Sequence, residues 1–346
     1  MNPQTGPGRS TRTTLAVIAS DADVSMATVS KVLNGRPGVA HETRDRVQSL
    51  LLAHGYLKPG SERTVAPLIE IVFNELEDGW SLELLRGSEE VVRENGMSLV
   101  VTKSGDRHTP AADWIDGVVK RRPFGVILVL SDVADEQKRR LRRRNIPFVL
   151  VDPSGEPAAD VPSIGSANWS GGVLATNHLI SLGHRDIGVI AGPQDVTNAR
   201  ARLSGFRAAM ADAGIPVREE LIVPGNYHID SGLEGGLQLL SNPRPPTAIF
   251  ATNDLQALGV YEAARSKGIV VPDDLSVVGY DDVHFSAWAG PPLTTIHNPL
   301  AEMAAEAARL LIRFRNENQL DSIRRDLATS LVLRKSTAGV RERAER

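Results

Sequence analysis

The chain has 346 residues, 41% of them apolar, no cysteine and a formal charge of −3. That length suits two or three domains with their own cores, and the lack of cysteine excludes disulfide frameworks and thiolate metal sites. The first 66 residues carry +3 and the remainder −6. This imbalance fits a chain that meets DNA with one end, and fits ordinary surface scatter equally well.

Residues 1–12, MNPQTGPGRSTR, are polar with Pro and Gly and read as a disordered arm, not a signal peptide. No segment approaches the roughly 18 apolar residues of a membrane helix, so a soluble, cytoplasmic protein without membrane contact is expected. From Thr13 to Gly35, Leu15, Ile18, Ala19 and Ala22 recur at helical spacing. After a break at Asp21–Val24, Ser25 precedes a second helical pattern with Val29, Val32 and Leu33. Ser25 is a good N-cap, and Asn34-Gly35 suits the helix end. Two short helices around a tight turn form a helix-turn-helix, whose second helix enters the major groove. A third amphipathic run, about His41–His54, completes a small all-α head over residues 13–57.

The Pro-, Gly- and charge-bearing stretch at 58–67 reads as a linker. Apolar runs of strand length then follow at 68–73, 98–104, 125–130 and 147–152, with helical patterns at 82–95, 114–121 and 135–145. The series restarts with a helix at 169–182, a strand at 186–192, a helix at 199–213, and strands at 220–223, 247–252 and 276–282. A helix at 300–318 and a last strand near 328–335 end it. Alternating strands and helices predict two doubly wound α/β subdomains with a cleft between them. Ligands in such sheets bind beyond the strands' carboxyl ends, where the sequence places Asn74, Glu75, Asp152, Asn253, Asp254, Asp281 and Asp282. No G-x-S-x-G elbow, H-E-x-x-H or Walker loop is present, and the eight histidines are dispersed. No enzymatic activity, metal or cofactor is expected.

The density of matches in the head (Ala19, Ala22, Val24-Ser25, Thr28-Val29-Ser30, Leu33-Asn34, Thr43-Arg44, Val47 and Gly55-Tyr56) resembles the lactose-repressor (LacI/GalR) family of bacterial transcription regulators. The body resembles the same family through HLISLGHRDIGVIAGP, Arg200 with Gly205-Phe206, ATNDLQALG, VPDDLSVVGYDD and PPLTTI. The resemblance implies a body like a periplasmic sugar-binding protein. Its N-subdomain would span about 68–164 and 298–325, and its C-subdomain about 165–297 and 326–340.

Carried over residue by residue, the resemblance makes Met26, Ala27 and Lys31 the base-reading positions. Ser25, Thr28 and Asn34 contact phosphates, with Thr14 beside them. Met26 and Ala27 suit thymine methyls, and Lys31 can donate to guanine; the alternative is Met26 in the core and Lys31 in solvent. In the cleft, the family's ligand-bridging arginine matches Arg200. Asn253 and Asp281 match hydroxyl-binding positions, and Asn74, Asp152 and Asn298 match further ones. Tyr227 matches an aromatic that lies against the ligand, and Trp80, Trp169 and Trp288 suit either that use or the core. Capping helices is the plainer role for Asp281 and Asp254.

Two departures stand out. Asp23 replaces the family's glycine in the turn, and YLKPGSERTVAPLI lacks the A-R-x-L of the hinge that wedges a Leu into the minor groove. Pro59 and Gly60 disfavour helix there, and Val65 is the one candidate substitute wedge. The implied function is a dimeric repressor of carbohydrate genes that binds a near-palindromic operator and a mono- or oligosaccharide. The alternatives are a purine or other non-sugar effector, and a cytoplasmic sugar-binding module without effective DNA regulation.

Overall fold

The computed structural model describes residues 15–33, 38–53, 65–76, 79–105, 113–129, 133–153, 155, 160–317 and 324–340, excepting the side chains at 41, 52, 53, 316 and 317. The arm at 1–12, the end of the head at 54–57 and residues 58–64 of the expected linker lie outside these residues. The chain divides into two units, Met1–Thr64 and Val65–Arg346.

The first unit holds α1 (Leu15–Asp21), α2 (Met26–Leu33) and α3 (His41–Ala53). Their apolar faces meet in a core of Ile18, Ala19, Ala22, Val29, Val32, Val47 and Leu51. Ser25 caps α2: its Oγ accepts from the Thr28 amide at 3.1 Å, and its carbonyl accepts from the Val29 amide at 3.1 Å. Asp23 sits in the turn at φ 50°, the left-handed region that costs an L residue energy. That conformation accounts for the glycine usual at this place.

The second unit has two six-stranded sheets. The first contains β1 (Ala66–Phe73), β2 (Ser98–Lys103), β3 (Pro123–Val129), β4 (Phe148–Val151), β5 (Ser163–Ser166) and β11 (Arg324–Leu327), in the order β11-β5-β4-β3-β1-β2 and parallel throughout. With it go α4 (Trp80–Glu94), α5 (Trp114–Arg121), α6 (Asp135–Arg143) and α11 (Leu300–Glu317). The second sheet contains β6 (Ile187–Ile190), β7 (Ile222–Val223), β8 (Ala248–Ala251), β9 (Ser276–Asp281), β10 (Thr294–His297) and β12 (Ser330–Val332), in the order β12-β10-β9-β8-β6-β7. Only β12 runs antiparallel to its neighbour. Around it lie α7 (Asn168–Ser181), α8 (Thr197–Asp212), α9 (Ile229–Leu240) and α10 (Asp254–Ser266).

Apolar side chains on both faces of each sheet form the cores, which is why the strands read as continuous apolar runs. The chain passes between the sheets at three places: between β5 and α7, between β10 and α11, and between β11 and β12. The first and third crossings lie side by side, with the Ala167 amide donating to Leu327 O at 2.9 Å.

Two strands differ from the sequence reading. Neither β5 (SIGS) nor β10 (TTIH) has an apolar run, because their polar side chains are buried by sheet pairing rather than by hydrophobicity. The single last strand expected near 328–335 is two, β11 and β12, one in each sheet. β1 begins at Ala66, so the last two residues of the expected linker belong to the body. Among the described residues, no helix is long and apolar enough to cross a membrane.

Candidate DNA interface and effector cleft

On α2, the buried residues are Val29 and Val32. Met26 is 56% exposed, which removes the alternative that it packs in the core. Ser25, Ala27 and Lys31 are exposed and Thr28 is half-buried. The helix thus presents its first turn and Lys31 to solvent while the opposite face holds the core. Thr14 and Asn34 lie outside the described residues.

The second constellation centres on Arg202, a residue the sequence reading passed over. It lies on α8, whose buried positions Ala199, Arg202, Gly205, Phe206, Ala209 and Met210 follow a helical stripe. Its Nε donates to Asn168 Oδ1 at 2.8 Å, Nη1 to Thr252 O at 2.7 Å, and Nη2 to Asp281 Oδ1 at 3.3 Å. The guanidinium lies 3.7 Å from the Tyr280 ring centroid and 5.7 Å from that of Tyr227. Burial opposes its charge, but Asp281 and the other facing groups hold its pKa above the ordinary value. The arginine is therefore a fixed, desolvated cation, where its charge acts most strongly.

Arg200 was the expected arginine, and the structure corrects its placement. Two residues from Arg202 on a helix, it falls off the buried stripe and is exposed. Its guanidinium donates to Gln194 O at 2.9 Å and to Thr197 Oγ1 at 3.1 Å.

Strand ends bring four expected residues to Arg202. Asp281 closes β9 at φ 106° and is buried. Its Oδ1 also accepts from Asn298 Nδ2 at 3.1 Å, where β10 hands over to α11. Burial raises the Asp281 carboxyl above its usual range, and Arg202 opposes the rise. Asn298 is 1% exposed, and its Oδ1 has no hydrogen-bond partner among the described residues. Asp152 follows β4 at φ 49° and joins the two halves by accepting from Asn198 Nδ2 at 2.8 Å. Burial pushes its carboxyl up to about 6, against the pull of Arg202. Tyr227 closes the group at φ 72°, its ring against Gly192, where a Cβ would come within 2.3 Å of Tyr227 Cζ.

The other expected residues have local partners. Asn253 caps α10, accepting from the Gln256 amide at 2.9 Å, and its Nδ2 donates to Tyr227 O at 2.7 Å. Capping thus falls to Asn253 rather than to Asp254 or Asp281. Asp254 is buried and accepts from the Val283 amide, Ser286 Oγ and Thr295 Oγ1 at 3.0, 2.5 and 2.6 Å, so it ties the β9–β10 segment to α10. Burial, with Asp281 nearby, pushes it up to about 7. Asn74 follows β1 and accepts from Ser104 Oγ at 3.3 Å. Trp80 opens α4 and packs edge-on against Phe73, with centroids 6.4 Å apart. Trp169 and Trp288 are exposed, at 49% and 79%.

Arg202, Asn168 and Asn198 were missed. The signal for Arg202 was the stripe through Ala199, Gly205 and Phe206, which only one of the two arginines can join. Among the described residues, no group of His, Cys, Asp and Glu has the arrangement of a metal site.

Residues 14–58 match the family of bacterial regulatory proteins, lacI family, and residues 176–337 match the periplasmic binding protein-like domain. Catabolite control protein A of Priestia megaterium is 30% identical over 329 residues, 94% of this chain and 99% of that protein. The HTH-type transcriptional repressor PurR of Actinobacillus pleuropneumoniae serotype 3 is 34% identical over 303 residues, 86% of this chain and 90% of that one. Among solved structures, a transcriptional regulator CelR–cellobiose complex superposes with a TM-score of 0.70 at 30% identity, covering 94% of this chain and 100% of that one. With a helix-turn-helix unit before a two-sheet body with a polar cleft, the chain is a DNA-binding transcription regulator rather than an enzyme, and it belongs to the lacI family of bacterial regulatory proteins.

Proposed function

We propose that this regulator is a repressor of carbohydrate uptake or catabolism genes, with a mono- or oligosaccharide as its effector. It binds a near-palindromic operator as a homodimer, because a two-fold DNA site requires a two-fold protein. Lys31, Met26 and Ala27 read bases, and Ser25 and Thr28 hold phosphates, with Thr14 and Asn34 as further phosphate contacts. Arg202, Asp152, Asp281, Asn298 and Tyr227 hold the effector, and Asn253, Asn74 and Trp80 flank them.

The observation that carries the sugar reading is the polar geometry around Arg202. Two carboxylates and an amide at strand ends surround a cation on α8, and the buried Asn298 Oδ1 has no partner among the described residues. Buried polar atoms are nearly always paired, and a vicinal diol supplies the alternating donors and acceptors that such a set takes. The cellobiose in the CelR complex is of that class.

The test is fluorescence anisotropy on a labelled fragment from upstream of the gene, with sugars and purines titrated in. Salt-sensitive binding, lost in Lys31→Ala and modulated by one sugar, is the expected result. Modulation by a purine alone overturns the sugar reading. Sugar binding without any DNA binding overturns the repressor reading.

A further inference from the structure

We propose that the end of the first sheet where its strands begin is a second, sequence-independent DNA surface, which holds phosphates of the duplex flanking the operator. Three of the four helices of this sheet finish together at that rim with cations in their last turns, and the fourth, α4, brings there an Arg93 that is paired with Glu89. α5 ends in Lys120-Arg121 and runs through Arg122 into β3, α6 ends in Arg142-Arg143 with Arg144 next, and the last turns of α11 carry Arg313 and Arg315. Arg315 donates to Phe124 O at 3.1 Å and to Asn145 O at 3.4 Å, which brings the end of α11 to the starts of β3 and β4.

Several of these cations have structural partners. Arg121 pairs with the buried Glu70, Arg140 with Asp116, and Arg142 with Asp160. Lys120, Arg143 and Arg144 are exposed, and no carboxylate among the described residues pairs with them. They stand on a body whose formal charge is −6.

Helix dipoles favour cations at C-termini, so the second sheet serves as a control. There α8 and α9 have no basic residue in the last turn, α7 has only His178, and α10 has Arg265, paired with Glu262, with the single exposed Lys267 next. The dipole acts equally on both sheets and does not account for the difference.

The rim has a second distinguishing feature. It is where the chain coming from the DNA-binding unit enters the body: β1 starts here, with the Ala66 amide donating to Arg122 O at 3.0 Å and Ala66 in register with Pro123. Arginine and lysine facing a duplex neutralise phosphates and release counterions, a gain indifferent to base sequence. The inference rests on operator binding by the helix-turn-helix unit and adds a surface to it.

The test compares the full-length protein on two duplexes, the bare operator and the operator flanked on each side by roughly one and a half helical turns of arbitrary sequence. Affinity is measured across a salt series for the wild type, Lys31→Ala and the triple variant K120A/R143A/R144A. The wild type is expected to have a steeper salt dependence on the long duplex, by roughly one unit of slope per added phosphate contact. The triple variant is expected to lose about tenfold or more in affinity on the long duplex only, with effector binding unchanged, whereas Lys31→Ala weakens both duplexes alike. Equal wild-type slopes on the two lengths overturn the proposal, whether or not the variant folds, and leave the rim to an acidic protein partner. Failure of the wild type on both duplexes overturns operator binding and this surface with it.

Discussion

Asp281 Oδ1 receives two hydrogen bonds, from Arg202 Nη2 at 3.3 Å and from Asn298 Nδ2 at 3.1 Å, and so joins α8 to the segment that leads into α11. One carboxylate oxygen therefore sets the position of the cation and of the amide. Arg202→Ala leaves Asp281 buried without its counter-charge, a loss of roughly 3–5 kcal/mol. Denaturant unfolding should record that loss, and effector titration should record at least a tenfold drop in affinity for Arg202→Lys, which keeps charge but not the fork. Arg200→Ala should change neither by more than about twofold, since exposed polar contacts contribute little. Equal effects of Arg200 and Arg202 would contradict the assignment.

The Asp152 carboxyl lies at about 6, above its ordinary 3.8. Between these values the folded protein holds a proton that the unfolded chain has released. The group's contribution to stability is therefore full below about pH 4 and lost as pH rises through 6. Asp152→Asn should remove this dependence and gain on the order of 2 kcal/mol over the wild type above pH 6, allowing for partial exposure. Urea midpoints of the two proteins across that range measure it, and parallel curves would refute it.

Gly205 and Gly172 let α7 and α8 meet backbone to backbone. A Cβ at Gly205 would stand 2.2 Å from Trp169 O and 2.9 Å from Val173 N. Gly205→Ala should force the helices apart and cost about 3 kcal/mol, a fall in melting temperature of roughly 6–10 °C. Because Arg202 lies on the displaced face, effector affinity should fall with it. An unchanged melt would mean that the helices can separate without cost.

Asp23 stands at φ 50° in the helix-turn-helix turn. Asp23→Gly relieves the left-handed penalty and should stabilise the first unit by about 0.5–1 kcal/mol. It also removes an acidic group close to α2, so operator affinity should rise, most at low salt. Amide exchange of α1 and α2 in the full chain reads the first effect, and anisotropy the second.

The sequence was legible where one physical cause dominates. Val29 and Val32 at helical spacing specify the core face of α2, and the runs LIEIVF and TAIFAT specify strands buried on both faces. It was less legible where the cause is tertiary. SIGS and TTIH are strands because of neighbours distant in sequence. Motif matching took Arg200, whereas the buried one is Arg202, because matching ignores which residues share a helical face. Asp152 and Asp281 were named from their places after strands and Tyr227 from the resemblance, but the positive φ angles of all three, which turn the chain there, leave no mark in composition.

The three chain crossings between the sheets have a mechanical consequence. A single tether would let the two halves tumble freely, whereas three short tethers act like pins on a door, leaving one easy swing and resisting slide and twist. Arg202 grips two of the pins, the first through Asn168 and the second through Asp281 and Asn298. Pressure on that arginine is thus applied at the axle rather than at the edge of the door. The rim where β1 and the chain from the DNA-binding unit begin lies at the other end of the first sheet's strands, the full length of the door away from that axle.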